Sequence, residues 1–128
     1  MSSQYNRIHH ILDDLDNTPI ISQYDVLKYD HTAVKFQLRL RIDFVDHSTL
    51  FTNEYIGATI RKYAFHWQRT DFETLIRWDN APHFPKLASF PHHKHDYRQG
   101  TEVVTDSVDI TLTEVLTYID NQLKNLYL

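Results

Sequence analysis

Residues 34–44, VKFQLRLRIDF, alternate apolar and polar side chains without a break. Val34, Phe36, Leu38, Leu40, Ile42 and Phe44 fall on one parity, and Lys35, Gln37, Arg39, Arg41 and Asp43 on the other. Successive side chains of an extended chain point to opposite faces, so this stretch predicts a strand with one apolar and one charged face. Such a strand needs cover on one side only, which suits a half-buried antiparallel sheet.

The neighbouring segments repeat the period. A strand is predicted over 20–29, with Tyr24, Val26 and Lys28 on one side. Another spans 49–56, between the turn signal Asp46-His47-Ser48 and Gly57. Over 60–68, Tyr63, Phe65 and Trp67 share a face opposite Lys62, Ala64 and His66. A short turn then returns the chain through 72–79, with Phe72, Ile76 and Trp78 on one side and Glu73, Leu75, Arg77 and Asp79 on the other, making a hairpin. If every apolar face points the same way, Arg39, Arg41, Lys62, His66, Arg77 and Asp79 gather on the other face as a local basic patch.

Residues 80–100 read as a stiff loop, because Pro82, Pro85 and Pro91 each remove a backbone donor, and a short strand is predicted over 101–105. Two helices complete the pattern. Ile8, Ile11, Leu12 and Leu15 mark a short N-terminal one with Ser2 or Ser3 as cap. Thr111 and Glu114 form a capping box before the stripe Leu112, Val115, Leu116, Ile119, Leu123 and Leu126. The fold class expected is α+β: one domain over residues 1–128, an antiparallel sheet of about five strands, an N-terminal helix and a longer C-terminal helix covering the apolar face.

Composition excludes several chemistries. No cysteine is present among the 128 residues, which removes thiolate nucleophiles, zinc ribbons and disulfide frameworks and suits a reducing compartment. Two glycines leave no phosphate-cradling Gly-rich loop, so ATP and NAD folds are poor fits. A net charge of -4 provides no overall attraction to nucleic acid, and any such contact falls to the local patch. No leader-like start and no run of eighteen apolar residues is found, which predicts a soluble, cytoplasmic protein with no membrane association.

Chemistry concentrates in residues 77–95, RWDNAPHFPKLASFPHHKH, which hold four of the nine histidines. His83, His92, His93 and His95 with Asp79 or Asp96 offer metal-ligand types, and the His93-x-His95 spacing aims both rings one way on a strand. Against a metal, the chain has no HExxH helix and no cysteine ligand. The second reading is acid–base chemistry on a phosphodiester without metal or cofactor. One imidazole takes the proton of a ribose 2'-hydroxyl, another returns one to the leaving oxygen, and Arg77 and Lys94 hold the growing phosphate charge. Asp79 then orients a histidine or accepts from Arg77, and Tyr63, Trp67 or Tyr97 stack an unpaired base. The plain alternative gives Trp78 and Phe90 to the core, Asn80 to a turn, and Arg77 with Asp79 to an ordinary ion pair. His9, His10, His31 and His47 fit surface or packing positions.

At these residues the chain resembles the TumE family, small toxins of bacterial and archaeal toxin–antitoxin pairs. The resemblance covers about residues 33–120 and rests on IRKYAFHW, LIRWDNAPHF, FPHHKH, then EVV and LTEVL. Carried over position by position, it implicates Tyr63, His66, Arg77, Asp79, Asn80, His83, His92, His93 and His95. Where relatives commonly read PHH, this chain has Pro82-His83-Phe84, so any chemistry of the second histidine passes to His92, His93 or His95. The resemblance implies the toxin of a type II pair restrained by a cognate antitoxin, with ribonuclease-type activity on RNA. Together the two lines of reading assign Arg77, Asp79, His83, His92, His93 and His95 to catalysis and Tyr63, His66, Asn80, Lys94, Arg39 and Arg41 to substrate. They leave open a metal-dependent hydrolase, a non-catalytic binding module and a homodimer.

Overall fold

The computed structural model describes the backbone of residues 3–127 and the side chains of residues 7–125. Elements run in the order α1 (Ser3–Asp16), β1 (Ile21–His31), β2 (Phe36–Phe44), β3 (Thr49–Ile56), β4 (Arg61–Gln68), β5 (Thr74–Asp79), β6 (His93–Asp96), β7 (Val103–Asp106) and α2 (Leu112–Tyr127). The strands form one sheet in chain order, each antiparallel to the next. The α+β class with a helix at either end is as the residue patterns predict.

Seven strands stand where about five were expected, and the difference lies mainly in the loop predicted over 80–100. Its prolines end at Pro91. Beyond them every residue of β6 keeps its backbone donor, and an exposed edge of β5 is available to pair with. The strand predicted over 72–79 starts later, at Thr74. Phe72 lies in the preceding turn at φ 68° and is 79 % exposed, so it faces no core. Val34, at 71 % exposure, likewise falls ahead of β2.

The alternation of β2 becomes burial directly: Phe36, Leu38, Leu40, Ile42 and Phe44 are all buried, and Arg39 and Arg41 are exposed. Tyr63, Phe65, Trp67, Ile76 and Trp78 continue the same face across β4 and β5. Ile8 and Leu15 of α1 and Val115, Leu116, Ile119 and Leu123 of α2 close over it in one core cluster. Each such side chain contributes roughly 1.5–3 kcal/mol on burial. Trp78 meets the Tyr118 ring edge-on at 5.6 Å, which ties the end of β5 to α2. The expected capping box forms, with Glu114 N–H donating to Thr111 Oγ1 at 3.2 Å and Thr111 N–H to Glu114 Oε1 at 3.2 Å. The Ser2 or Ser3 cap and the Leu126 side chain lie outside the described residues. Among the described residues no helix is long and apolar enough to cross a membrane. With both helices on one face, the other face of the sheet carries no helix, and over β6 it is partly covered by Phe84 of the loop that precedes that strand.

Candidate active site

Register brings the polar face together. Ala64 pairs with Asp79 and Asp79 with His93, while His66 pairs with Arg77 and Arg77 with His95. Directly paired residues share a face, with Cβ atoms about 4.5–5.5 Å apart. The two-residue spacings Arg77-x-Asp79 and His93-x-His95 therefore make a four-residue patch on the side of β5 and β6 opposite the helices.

Asp79 is its centre, 4 % exposed. Its Oδ1 accepts from Ala81 N–H at 3.0 Å and lies 3.0 Å from His93 Nε2. Its Oδ2 accepts from Arg77 Nε–H at 3.1 Å and lies 3.6 Å from His95 Nε2. His93 is 1 % exposed, and its Nδ1 lies 3.0 Å from Pro91 O. Both neighbours of that ring are acceptors, so a proton on each nitrogen satisfies both. His95 differs: its Nδ1 is buried without a hydrogen-bond partner, 3.6 Å from Glu102 Oε2.

Phe84 walls the pair of imidazoles, with ring centroids 4.8 Å from His93 and 5.6 Å from His95. It stands where relatives carry the second histidine of PHH, so at this position the chain has packing in place of a titratable group. A hollow of about 280 Å³ opens over Arg77, Asp79, His93 and His95, with His83 and Tyr97 at its margin. Tyr97 donates its hydroxyl to Glu102, and that bond, with burial, raises the phenol pKa above 10.0. A larger hollow of about 830 Å³, lined by Asn53, Tyr55, Lys62 and Phe90 among others, shares Arg77, Asp79 and Ala81 with the first.

Not every residue singled out from the sequence joins this patch. Lys94 pairs with Trp78 and so belongs to the helix-covered face, away from the phosphate role expected beside Arg77. His92, next to His93 in the chain, also turns the other way: its Nδ1 is 2.9 Å from Tyr63 Oη, and the rings stack at 5.9 Å. Tyr63 is buried between Phe65 and His92, and the Arg61 guanidinium lies 4.3 Å from its ring centre. Burial pushes its phenol up to about 12. Its ring is a packed core group and leaves no face open for a base. Trp67 is buried as well, donating Nε1–H to Ser48 Oγ at 3.0 Å.

Asn80 serves the backbone. Its Nδ2 donates to Arg61 O at 2.7 Å and its Oδ1 accepts from Tyr63 N–H at 3.0 Å, bracing the β4–β5 pair where the strands end. His66 sits beside Arg77, 2.8 Å from Thr74 Oγ1, and burial first and the Arg77 charge second hold its pKa below the usual 6.5. Arg39 and Arg41 are on the open face as expected, but three strands from β5, a span of roughly 14 Å at ~4.8 Å per strand. Arg41 is also held by Asp43 at 3.2 Å. Glu102, Phe84 and the Ala81 N–H complete the site without having been singled out. Only the broken PHH pattern pointed to one of them, Phe84.

The chemistry within reach is that of a carboxylate holding one imidazole and one guanidinium, beside a second imidazole with unused capacity. Among the described residues, Asp79, His93 and His95 form a group of metal-ligand types whose ligand atoms lie within 4.8 Å of one another. No curated protein and no solved structure matches the chain. The family model described as toxin TumE matches residues 8–123, a span that holds every strand and most of both helices and extends the resemblance read from the motifs at either end. The chain belongs to the TumE toxin family.

Proposed function

We propose that this protein is the toxin of a type II toxin–antitoxin pair, acting in the cytoplasm as one unit over residues 1–128, and that it arrests growth by cleaving RNA at the Asp79 hollow without a metal. The observation that carries the reading is the convergence of Arg77, His83 and His95 on one hollow whose floor is the buried Asp79–His93 pair. His95, which lines the hollow, takes the proton of a ribose 2'-hydroxyl on its Nε2. The 2'-oxygen attacks phosphorus, the bond to the 5'-oxygen breaks, and His83 donates the proton that the leaving oxygen needs. Arg77, half exposed, turns its guanidinium to the charge that grows on the phosphoryl oxygens. Asp79 and His93 position the other groups. The larger hollow, with Lys62 and the Tyr55 ring on its wall, suits the flanking nucleotide of a single strand. The cognate antitoxin inhibits by covering the open face.

The test is to express the chain alone and with its neighbouring gene product while following growth and RNA integrity. His95→Ala, His83→Ala and Arg77→Ala are each expected to relieve arrest. Cleavage of single-stranded RNA by the purified variants is expected to fall by about 10²-fold or more. Arrest with intact RNA would remove the nuclease.

A further inference from the structure

With the Nδ1 proton of His93 held on Pro91 O, the Nε2 of a neutral ring presents its lone pair to Asp79 Oδ1 at 3.0 Å. Two electron-rich atoms at that distance need a positive species between them. A proton is one solution. A metal ion is the other, and a backbone carbonyl holding the far nitrogen of an imidazole is the arrangement that fixes a metal-ligating histidine.

The rest of the patch repeats the pattern. Atoms bound at 2.0–2.1 Å to one tetrahedral or octahedral ion are roughly 3.0–3.4 Å apart. Asp79 Oδ1 stands 3.0 Å from His93 Nε2 and Asp79 Oδ2 3.6 Å from His95 Nε2, and one ligand atom from each of the three residues lies within 4.8 Å of the others, a set that closes on an ion by a small inward shift of His95. His93 and His95 project together from β6, and Asp79 faces them from β5. The unpartnered His95 Nδ1 has Glu102 Oε2 at 3.6 Å as the acceptor that would orient it once Nε2 is engaged. Arg77 occupies Asp79 Oδ2 at 3.1 Å, but its side chain is 47 % exposed and can give way to a cation of higher charge. Two imidazoles and one carboxylate suit a borderline divalent ion, and the open side of the hollow leaves room for water or phosphate oxygen.

We propose that Asp79, His93 and His95 form a binding site for a divalent transition metal ion of the Zn²⁺ type. The binding stands on this geometry alone. Its consequence rests on the ribonuclease reading: an ion on His95 removes the lone pair that takes the 2'-hydroxyl proton, so occupancy switches cleavage off.

The experiment titrates purified full-length protein with Zn²⁺ in a calorimeter, with circular dichroism as a check on folding. One ion per chain is expected, with affinity at least tenfold weaker in His95→Ala. That variant is chosen because His95 is less deeply buried than its two partners and its loss leaves the Asp79–His93 pair intact. Absence of binding, or unchanged binding in folded H95A, overturns the site. In parallel, Zn²⁺ is expected to suppress cleavage of single-stranded RNA and a chelator to restore it. Cleavage that requires Zn²⁺ overturns the switch. Stoichiometric binding by a protein that cuts no RNA supports the site while removing the ribonuclease.

Discussion

His93 and Asp79 meet across neighbouring strands, imidazole Nε2 to carboxylate Oδ1 at 3.0 Å, with both side chains almost wholly buried. A pair so placed is held by strand register, because Asp79 and His93 are direct partners in the β5–β6 ladder. Removing one partner leaves the other charge uncompensated in the interior. Asp79→Ala is therefore expected to lower unfolding free energy by about 3–5 kcal/mol, read by chemical denaturation. A loss within a few tenths of a kcal/mol would mean that the pair carries no buried charge.

Arg77 and Lys94 should separate cleanly. Arg77 is half exposed, so its ion pair with Asp79 is worth at most about 1 kcal/mol, and Arg77→Ala should leave stability nearly unchanged while RNA cleavage falls by roughly 10²-fold or more. Lys94→Ala should leave cleavage unaltered, since its register places it on the helix side. Equal losses in the two variants would contradict the assignment of faces.

For His92, the expected signature is stability without chemistry. His92→Ala removes the partner of Tyr63 Oη and should cost about 1 kcal/mol, measured as a lower denaturation midpoint. Growth arrest should persist at matched expression. Loss of arrest in a folded H92A protein would return His92 to the catalytic set.

His66 supplies a pH dependence. Its folded-state pKa lies below 6.5 through burial and then the Arg77 charge. Between those two values the unfolded chain binds the proton more readily than the folded one, so stability rises with pH through that window and falls on acidification below 6.5. Denaturation midpoints of His66→Gln, compared with the parent protein from pH 8 to pH 5, should show a shallower decline. In Arg77→Ala the His66 titration followed by NMR should move upward. A midpoint that stays put would show that burial alone sets it.

How much of this was written in the chain can be judged from β2 and β6. The alternation of residues 36–44 is long, apolar on one parity and charged on the other, and hydration alone dictates which face turns inward. The Thr111–Glu114 box marks the start of α2 just as locally. β6 has no such signal: its four residues, HKHD, are all polar, and they become a strand only because β5 offers an unpaired edge. The prolines before it coincide with irregular backbone over 80–92, but carried no information about the residues after Pro91.

The same division runs through the site. The residue types at 77–95 and their two-residue spacings determined which groups could act together within a strand: Arg77 with Asp79, and His93 with His95. Whether those two pairs would meet was decided by tertiary pairing, through the Asp79–His93 and Arg77–His95 register. Adjacent residues such as His92, His93 and Lys94 are equivalent in composition, yet a strand must send neighbours to opposite faces, and only the partner strand decides which one faces the hollow. Local alternation is a property of the backbone and travels with the sequence. Register is a contact between distant segments, and it exists only once the sheet has formed.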